Sequence, residues 1–410
     1  MCYVRDVEMS HDAFDTLPFV SPYDVVHSGY LYSADIREKL PTGDWLWSGL
    51  WLAPADIAYG ECHDLCHLKK CTDSFTRVRK NSVNYKRRYC SGQLIFNDEF
   101  TDFNLNIWNH VITDLDPGNK LFQWYVNSRE NSYVSNGILY IRPTVDLREQ
   151  ERIKKYFDYW HLPYNPYYAR DIIHSARINT MYSMSFKYGR LEVRAKLPTG
   201  DWLWPAIWLM PRDNVYGNWP LSGEIDLVEA HGNRELILDG VNIGVNTVGQ
   251  TLHFGMDRTN NAWRKAHFTK SRPNFGTEFH NYTMIWSPQG FEFYINKRLT
   301  GSINVPDDGF WEIGEFAKKN LTNPWEKQPP IAPFDQYFYI IMNVAVGGNS
   351  YYFPDNAINR NYTKPWNNLS PTAAQDFYNA KRLWMPTWPY LNANGEDSAL
   401  QIDYIRLYAL

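Results

Sequence analysis

Trp219-Pro-Leu-Ser-Gly-Glu224-Ile-Asp226-Leu-Val-Glu229-Ala-His-Gly-Asn233 sets three carboxylates within six residues and interleaves them with Ile225, Leu227 and Val228, which favour strands. On an ideal strand side chains alternate between faces, so Glu224 and Asp226 share one face and Glu229 falls on the other. A single β-bulge between Asp226 and Glu229 adds one residue and returns Glu229 to the carboxylate face. Like charges crowded on one face of a sheet repel and cost stability, which a purely structural strand seldom accepts. A solvent-facing strand edged with acids is the ordinary alternative. Retaining glycoside hydrolysis, however, asks for what the bulged strand offers: a carboxylate nucleophile and a carboxylic acid roughly 5–5.5 Å apart across the scissile bond. Same-face neighbours lie about 7 Å apart along a strand, and leaning side chains shorten that.

Outward from this stretch the chain is a succession of short strands. Leu94 to Phe100 opens the series, and Asn136-Gly137 is a turn signal before Ile138-Leu-Tyr-Ile-Arg-Pro143. Phe186 to Arg194 alternates as a strand should, and Trp204, Ala206 and Trp208 share one face of the next. We expect Trp202 or Trp204 to line a cleft and Trp208 to be buried. Val241–Asn246, Thr251–Gly255, Phe279–Trp286 with its hairpin partner Phe291–Asn296, Tyr337–Gly348 and Leu400–Tyr408 follow. Residues 144–172 are charged, Tyr-rich and irregular, with a short helix expected over Leu147–Phe157. Many short strands punctuated by Gly, Pro and Asn, with little helix, predict an all-β, two-sheet sandwich.

Gly223-Glu-Ile-Asp-Leu-Val-Glu229 resembles the active-site strand of glycoside hydrolase family 16 in its longer, bulged form, which is typical of laminarinase-like β-1,3-glucanases. The surrounding stretches resemble the animal branch, which also contains insect and crustacean β-glucan-binding proteins. The resemblance covers roughly residues 90–410 and implies a concanavalin-like jelly roll with a concave substrate cleft. It implies retaining endo-hydrolysis of β-1,3-glucosidic bonds in laminarin-type glucans: Glu224 as nucleophile, Glu229 as acid/base and Asp226 between them. Carried over residue by residue, Asn127 and Arg129 of Phe122–Val134 would reach substrate hydroxyls, and His253 of Thr251-Leu-His253 would face the sugar. For Asn127 and Arg129 a polar loop bonding its own backbone is the alternative; for His253 it is a satisfied buried imidazole. No metal or cofactor is required for this chemistry, although such proteins often carry a structural calcium away from the cleft, whose ligands the sequence does not place. The implied partner is a β-1,3-glucan polysaccharide or oligosaccharide, bound by an extracellular monomer. The rival from another class is a non-catalytic β-1,3-glucan recognition protein on the same fold. Such relatives typically lack one or both glutamates, whereas this chain keeps all three acids. A non-functional product of a disrupted gene is a third reading.

The 410-residue composition narrows the partners. A net charge of −4 argues against nucleic acid as the main ligand, and no apolar run approaches the roughly twenty residues that span a membrane. Aromatics reach 16%, with 17 Trp and 29 Tyr, enough both to fill a core and to supply flat rings for sugar faces. Met1–Met9 has acids where a signal peptide would have an apolar core. Yet Asn281, Asn320, Asn361 and Asn368 each open an Asn-x-Ser/Thr acceptor, which favours secretion.

The N-terminal region contains a broken repeat. Lys39-Leu-Pro-Thr-Gly-Asp-Trp-Leu-Trp47 recurs unchanged as Lys196–Trp204, 157 residues on, and the likeness stops after Gly60. We read residues 1–70 as a partial duplicate of a glucanase segment, poorly packed because a few strands cut from a sandwich cannot bury both faces. Residues 71–90 read as a Cys-flanked basic linker and 91–410 as the catalytic domain. All five cysteines (Cys2, Cys62, Cys66, Cys71, Cys90) precede residue 91. The spacing in Cys62-His-Asp-Leu-Cys66-His67-x3-Cys71 matches no usual zinc site, and Cys71 with Cys90 makes the more reasonable disulfide. Arg77–Lys80 and Lys86–Arg88 between them read as a solvated tether, with a processing site as the second option.

Overall fold

The computed structural model describes residues 72–113, 118–146, 155, 172–360, 362–388 and 395–410. The partial repeat, the Cys/His run, Cys71 and the helix expected over 147–157 lie outside the described residues, apart from Lys155.

Strand formation follows the period-2 pattern. In Gly189–Lys196, Leu191, Val193 and Ala195 are buried while Arg190, Glu192 and Arg194 face outward. Its neighbour His280–Ser287 buries Tyr282, Met284 and Trp286 in the same rhythm. Two large antiparallel sheets result, as the jelly-roll expectation requires. One has eight strands, running from Arg298–Asn304 through Gly290–Ile295, His280–Ser287, Gly189–Lys196, Leu400–Tyr408 and Ile138–Ile141 to Ser132–Ser135, with Leu94–Asp98 also on Leu400–Tyr408. The other has nine. At its centre Phe338–Val346, Leu203–Pro211, Glu224–Ala230 and Thr247–His253 lie side by side, flanked by His267–Ser271 on one edge and by Arg177–Asn179 and Asn109–His110 on the other.

The core lies between the sheets. Trp286 from one sheet packs against Phe186 and Phe338 of the other and against its neighbours Tyr188 and Phe291. Its indole N–H is satisfied by the Phe334 carbonyl at 3.1 Å, so the ring is fully buried at no polar cost. A second aromatic cluster, Trp202, Phe353, Trp366, Phe377, Trp384 and Trp388, closes one end of the nine-stranded sheet.

The stretch expected to be a solvated tether joins the sandwich instead. Arg77–Val78 pairs with Phe186–Lys187 at the edge of the nine-stranded sheet, and Val78 and Tyr89 enter the core. Leu410 N–H bonds the Thr76 hydroxyl at 3.0 Å, so this segment also clasps the C-terminus. Cys90 is disulfide-bonded. The alternation of Thr76 and Val78 with outward Arg77 and Arg79 carries this, and the basic residues obscured it.

Trp286→Ala should lower unfolding free energy by about 3–5 kcal/mol, the usual cost of emptying a buried aromatic site. Urea denaturation followed by far-UV circular dichroism would measure it, and a change within about 1 kcal/mol would contradict this account of the core.

Candidate active site

The strand Glu224–Ala230 carries the predicted irregularity. Opposite Thr247–His253, Asp226 pairs with Thr251 and Glu229 with Gly249, so Leu227 and Val228 together face only Gln250. Against Leu203–Pro211 the register shifts at the same place, with Ile207 opposite Val228 and Trp208 opposite Asp226. Leu227 and Val228 are both fully buried, which anchors the bulge in the core. Glu224, Asp226 and Glu229 therefore all line one cleft on the outer face of the nine-stranded sheet.

Each acid has a specific neighbour. The Trp219 indole N–H donates to Glu224 Oε2, and the Trp204 indole N–H donates to Glu229 Oε1 at 3.0 Å. His253 stands opposite Glu224, with Nε2 3.2 Å from Asp226 Oδ2 but outside hydrogen-bond alignment, leaving that oxygen buried without a hydrogen-bond donor. The side-chain oxygen of Asn261 accepts the Trp263 N–H, which turns its amide N–H toward His253 Nδ1 at 2.8 Å. That contact leaves Nε2 as the ring nitrogen facing Asp226.

Burial pushes all three carboxyls upward. Glu224 rises to about 8, chiefly through burial and then through the Asp226 charge. Asp226 is raised by burial and by Glu229. Glu229 rises to about 7 through burial, with Glu224 adding to the shift while His253 and the Trp204 indole oppose it. The protons of such a cluster belong to it as a whole, because each ionisation makes the next harder.

The walls are aromatic and amide-lined. Trp204 stacks on Tyr352 at 3.8 Å between centroids, and Tyr352 stacks in turn on His231. The Trp208 indole N–H donates to the Asn343 side-chain oxygen Oδ1 at 2.8 Å, and the ring lies under the Arg177 guanidinium at 4.7 Å. Asn119, Leu121 and Tyr125 complete the lining over Ala345. Glu224, Asp226 and His253 also bring ligand atoms within 4.8 Å of one another, a donor set able to hold a divalent cation. This grouping lies in the cleft, not away from it as expected of a structural calcium.

Of the residues predicted from sequence, the structure brings together Glu224, Asp226, Glu229, Trp204 and His253. Trp202 is not in the cleft: φ is +66° there, so its side chain leaves the alternation of the strand beginning at Leu203 and packs into the core. Trp208, expected in the core, lines the cleft. Asn127 and Arg129 are exposed and bound to each other beside Phe103 and His110, apart from the residues lining this cleft. The sequence reading missed Arg177 and Asn343, which pair across adjacent strands and so project from the same face as the acids. Their places within alternating strands were the available signal.

The description "Glycosyl hydrolases family 16" fits residues 146–314. The β-1,3-glucan-binding protein of Penaeus monodon is 39% identical over 346 residues, which cover 77% of this chain and 90% of that protein. The chain belongs to glycosyl hydrolase family 16. It is also similar to glucan endo-1,3-beta-glucosidase A1 of Niallia circulans, 35% identical over 273 residues that span 62% of this chain and 34% of that protein. The laminarinase of Rhodothermus marinus shares the fold, with a TM-score of 0.52 at 24% identity, over 78% of this chain and 98% of that one.

Raised carboxyl values make folding bind protons. Relative to the ordinary 4.5, folded values near 8 and 7 mean that this stabilising contribution is complete below about pH 4.5 and is lost as pH rises through 7 and 8. Urea midpoints of the native protein should fall between about pH 5 and about 9, and a Glu224→Gln/Glu229→Gln variant should show a flatter dependence. Parallel curves would refute the assigned shifts.

Proposed function

We propose that this chain binds β-1,3-glucan in the cleft and hydrolyses internal β-1,3 bonds with retention of configuration. The observation that carries the catalytic part is the bulge, which holds Glu224, Asp226 and Glu229 on one face with an indole donor on each outer acid. The names of the Penaeus monodon and Niallia circulans relatives support the linkage. Glu224 attacks the anomeric carbon and forms a glycosyl-enzyme, while protonated Glu229 delivers its proton to the departing oxygen. Glu229, now anionic and held by the Trp204 indole, then takes a proton from the water that releases the sugar. Asp226 gives the proton shared with Glu224 a second place to reside, so that the nucleophile is ionised when it attacks. Trp204 on its Tyr352 backing and Trp208 offer flat faces to the glucan, and Arg177 and Asn343 offer polar atoms to its hydroxyls. The Cys90 disulfide supports an extracellular setting.

A second reading, recognition without turnover, is favoured by the Penaeus monodon relative, whose name states binding alone. The two separate cleanly. Native protein should release reducing ends from laminarin, and Glu229→Gln should slow release by about 10²–10⁴-fold while laminarin binding persists. Binding by the native protein without any release of reducing ends would remove the catalytic reading and leave recognition.

A further inference from the structure

The basic run Lys86-Arg87-Arg88 plays no part in the cleft. It lies on a turn between two anchored points. On one side Arg77–Val78 is hydrogen-bonded to Phe186–Lys187, and on the other Asp73 bridges Cys90 while Tyr89 is buried. Between them Arg87 and Arg88 are exposed, with the Arg88 side chain 80% accessible. Among the described residues neither has a backbone hydrogen-bond partner, and the charge of Arg88 meets Asp73 alone, at 4.0 Å. Such a segment can be drawn into an extended conformation without breaking a sheet.

We infer that Lys86–Arg88 is a processing site for a dibasic-specific serine endoprotease, cut between Arg87 and Arg88. Water adds across that peptide bond, leaving a carboxylate on Arg87 and an amino group on Arg88. A cut one residue later would have to draw Tyr89 out of the core, where its hydroxyl donates to the Asn84 carbonyl at 2.7 Å. The remaining Lys-Arg pairs in the sequence are held in regular secondary structure. Lys297-Arg298 turns a tight hairpin, with Arg298 already paired to Ile295, and Lys381-Arg382 begins the helix Lys381–Trp384.

The disulfide gives the cut a defined product. Cys2, Cys62, Cys66 and Cys71 all precede Thr72, so whichever of them is bonded to Cys90, the two pieces stay covalently joined. The Arg77–Val78 strand and the Thr76–Leu410 hydrogen bond hold them together as well. Processing converts one chain into a disulfide-linked two-chain protein with its sandwich intact.

The test is treatment of the full chain with a kexin-type endoprotease, followed by intact mass measurement. Without reductant the product should be a single species heavier by one water; after reduction it should separate into two fragments, the larger running from Arg88 to Leu410. Arg87→Gln removes both basic pairs at an exposed side chain with no hydrogen bond or ion pair to the described residues, so this variant should keep the native circular dichroism spectrum and resist cleavage here. A first cut after Arg298 or Arg382, a larger fragment beginning at Tyr89, or fragments that part without reductant would overturn the inference. So would native protein that resists the enzyme while urea-unfolded protein is cut.

Discussion

Holding three carboxyl groups together on one face of a strand, Asp226 buried and Glu224 and Glu229 half-buried, is the constraint on which this structure turns. An ionised carboxylate taken into a protein interior costs several kcal/mol even after relaxation, and three together cannot all remain charged. Two devices contain that cost. The cluster retains protons, as the raised values of Glu224, Asp226 and Glu229 reflect, and Trp219 and Trp204 supply indole donors to its two ends. The bulge is held from beneath: Leu227 and Val228 are both fully buried, and burying such a side chain contributes roughly 1.5–3 kcal/mol. A one-residue slip would bring Leu227 or Val228 out and a carboxyl in, so the apolar pair and the acids specify the same register.

The cleft wall and the core beneath it are built as two aromatic layers joined by a polar network. Trp204 and Tyr352 form the upper layer, and Trp202 with Phe353 and Trp366 the lower. Buried Asp201 accepts from Asn359 at 2.7 Å and from the Tyr362 hydroxyl at 2.8 Å, while the Asn233 side-chain oxygen accepts the Trp202 N–H at 3.0 Å. Asn233, at the end of the decisive stretch, is thereby tied to the Thr-Gly-Asp-Trp motif that starts the neighbouring strand. The earlier copy of that motif, Lys39–Trp47, ends its likeness at Gly60, before any second counterpart of Asn233, Asn359 or Tyr362 appears in the sequence.

Local motifs and spatial partners diverge at the polar side chains. Asn127 and Arg129 came from a local likeness, and in the structure they satisfy each other beside Phe103. Arg177 and Asn343 lie 166 residues apart in the chain yet sit opposite each other on adjacent strands, next to Trp208. Only strand order makes that pair adjacent. The run Arg77–Lys80 misleads in the opposite direction: its charges suggest a tether, while Val78 between them is core. An edge strand exposes every second residue, so a basic outward face is compatible with full participation in the sheet.

The sequence by itself determined what depends on local parity and count. Period-2 alternation set which residues of Gly189–Lys196 and His280–Ser287 point inward. The two residues between Asp226 and Glu229 required a bulge if all three acids were to share a face, and the resemblance of that stretch identified the family and its jelly roll. The tertiary structure decided what depends on long-range burial. It turned Trp202 inward through a left-handed backbone at φ +66° and left Trp208 in the cleft. It brought Arg177 and Asn343 to the acids, and it shifted the carboxyl equilibria by removing water from around them. Alternation is a property of one strand's backbone, whereas solvation and cross-strand neighbours are properties of segments far apart in the chain.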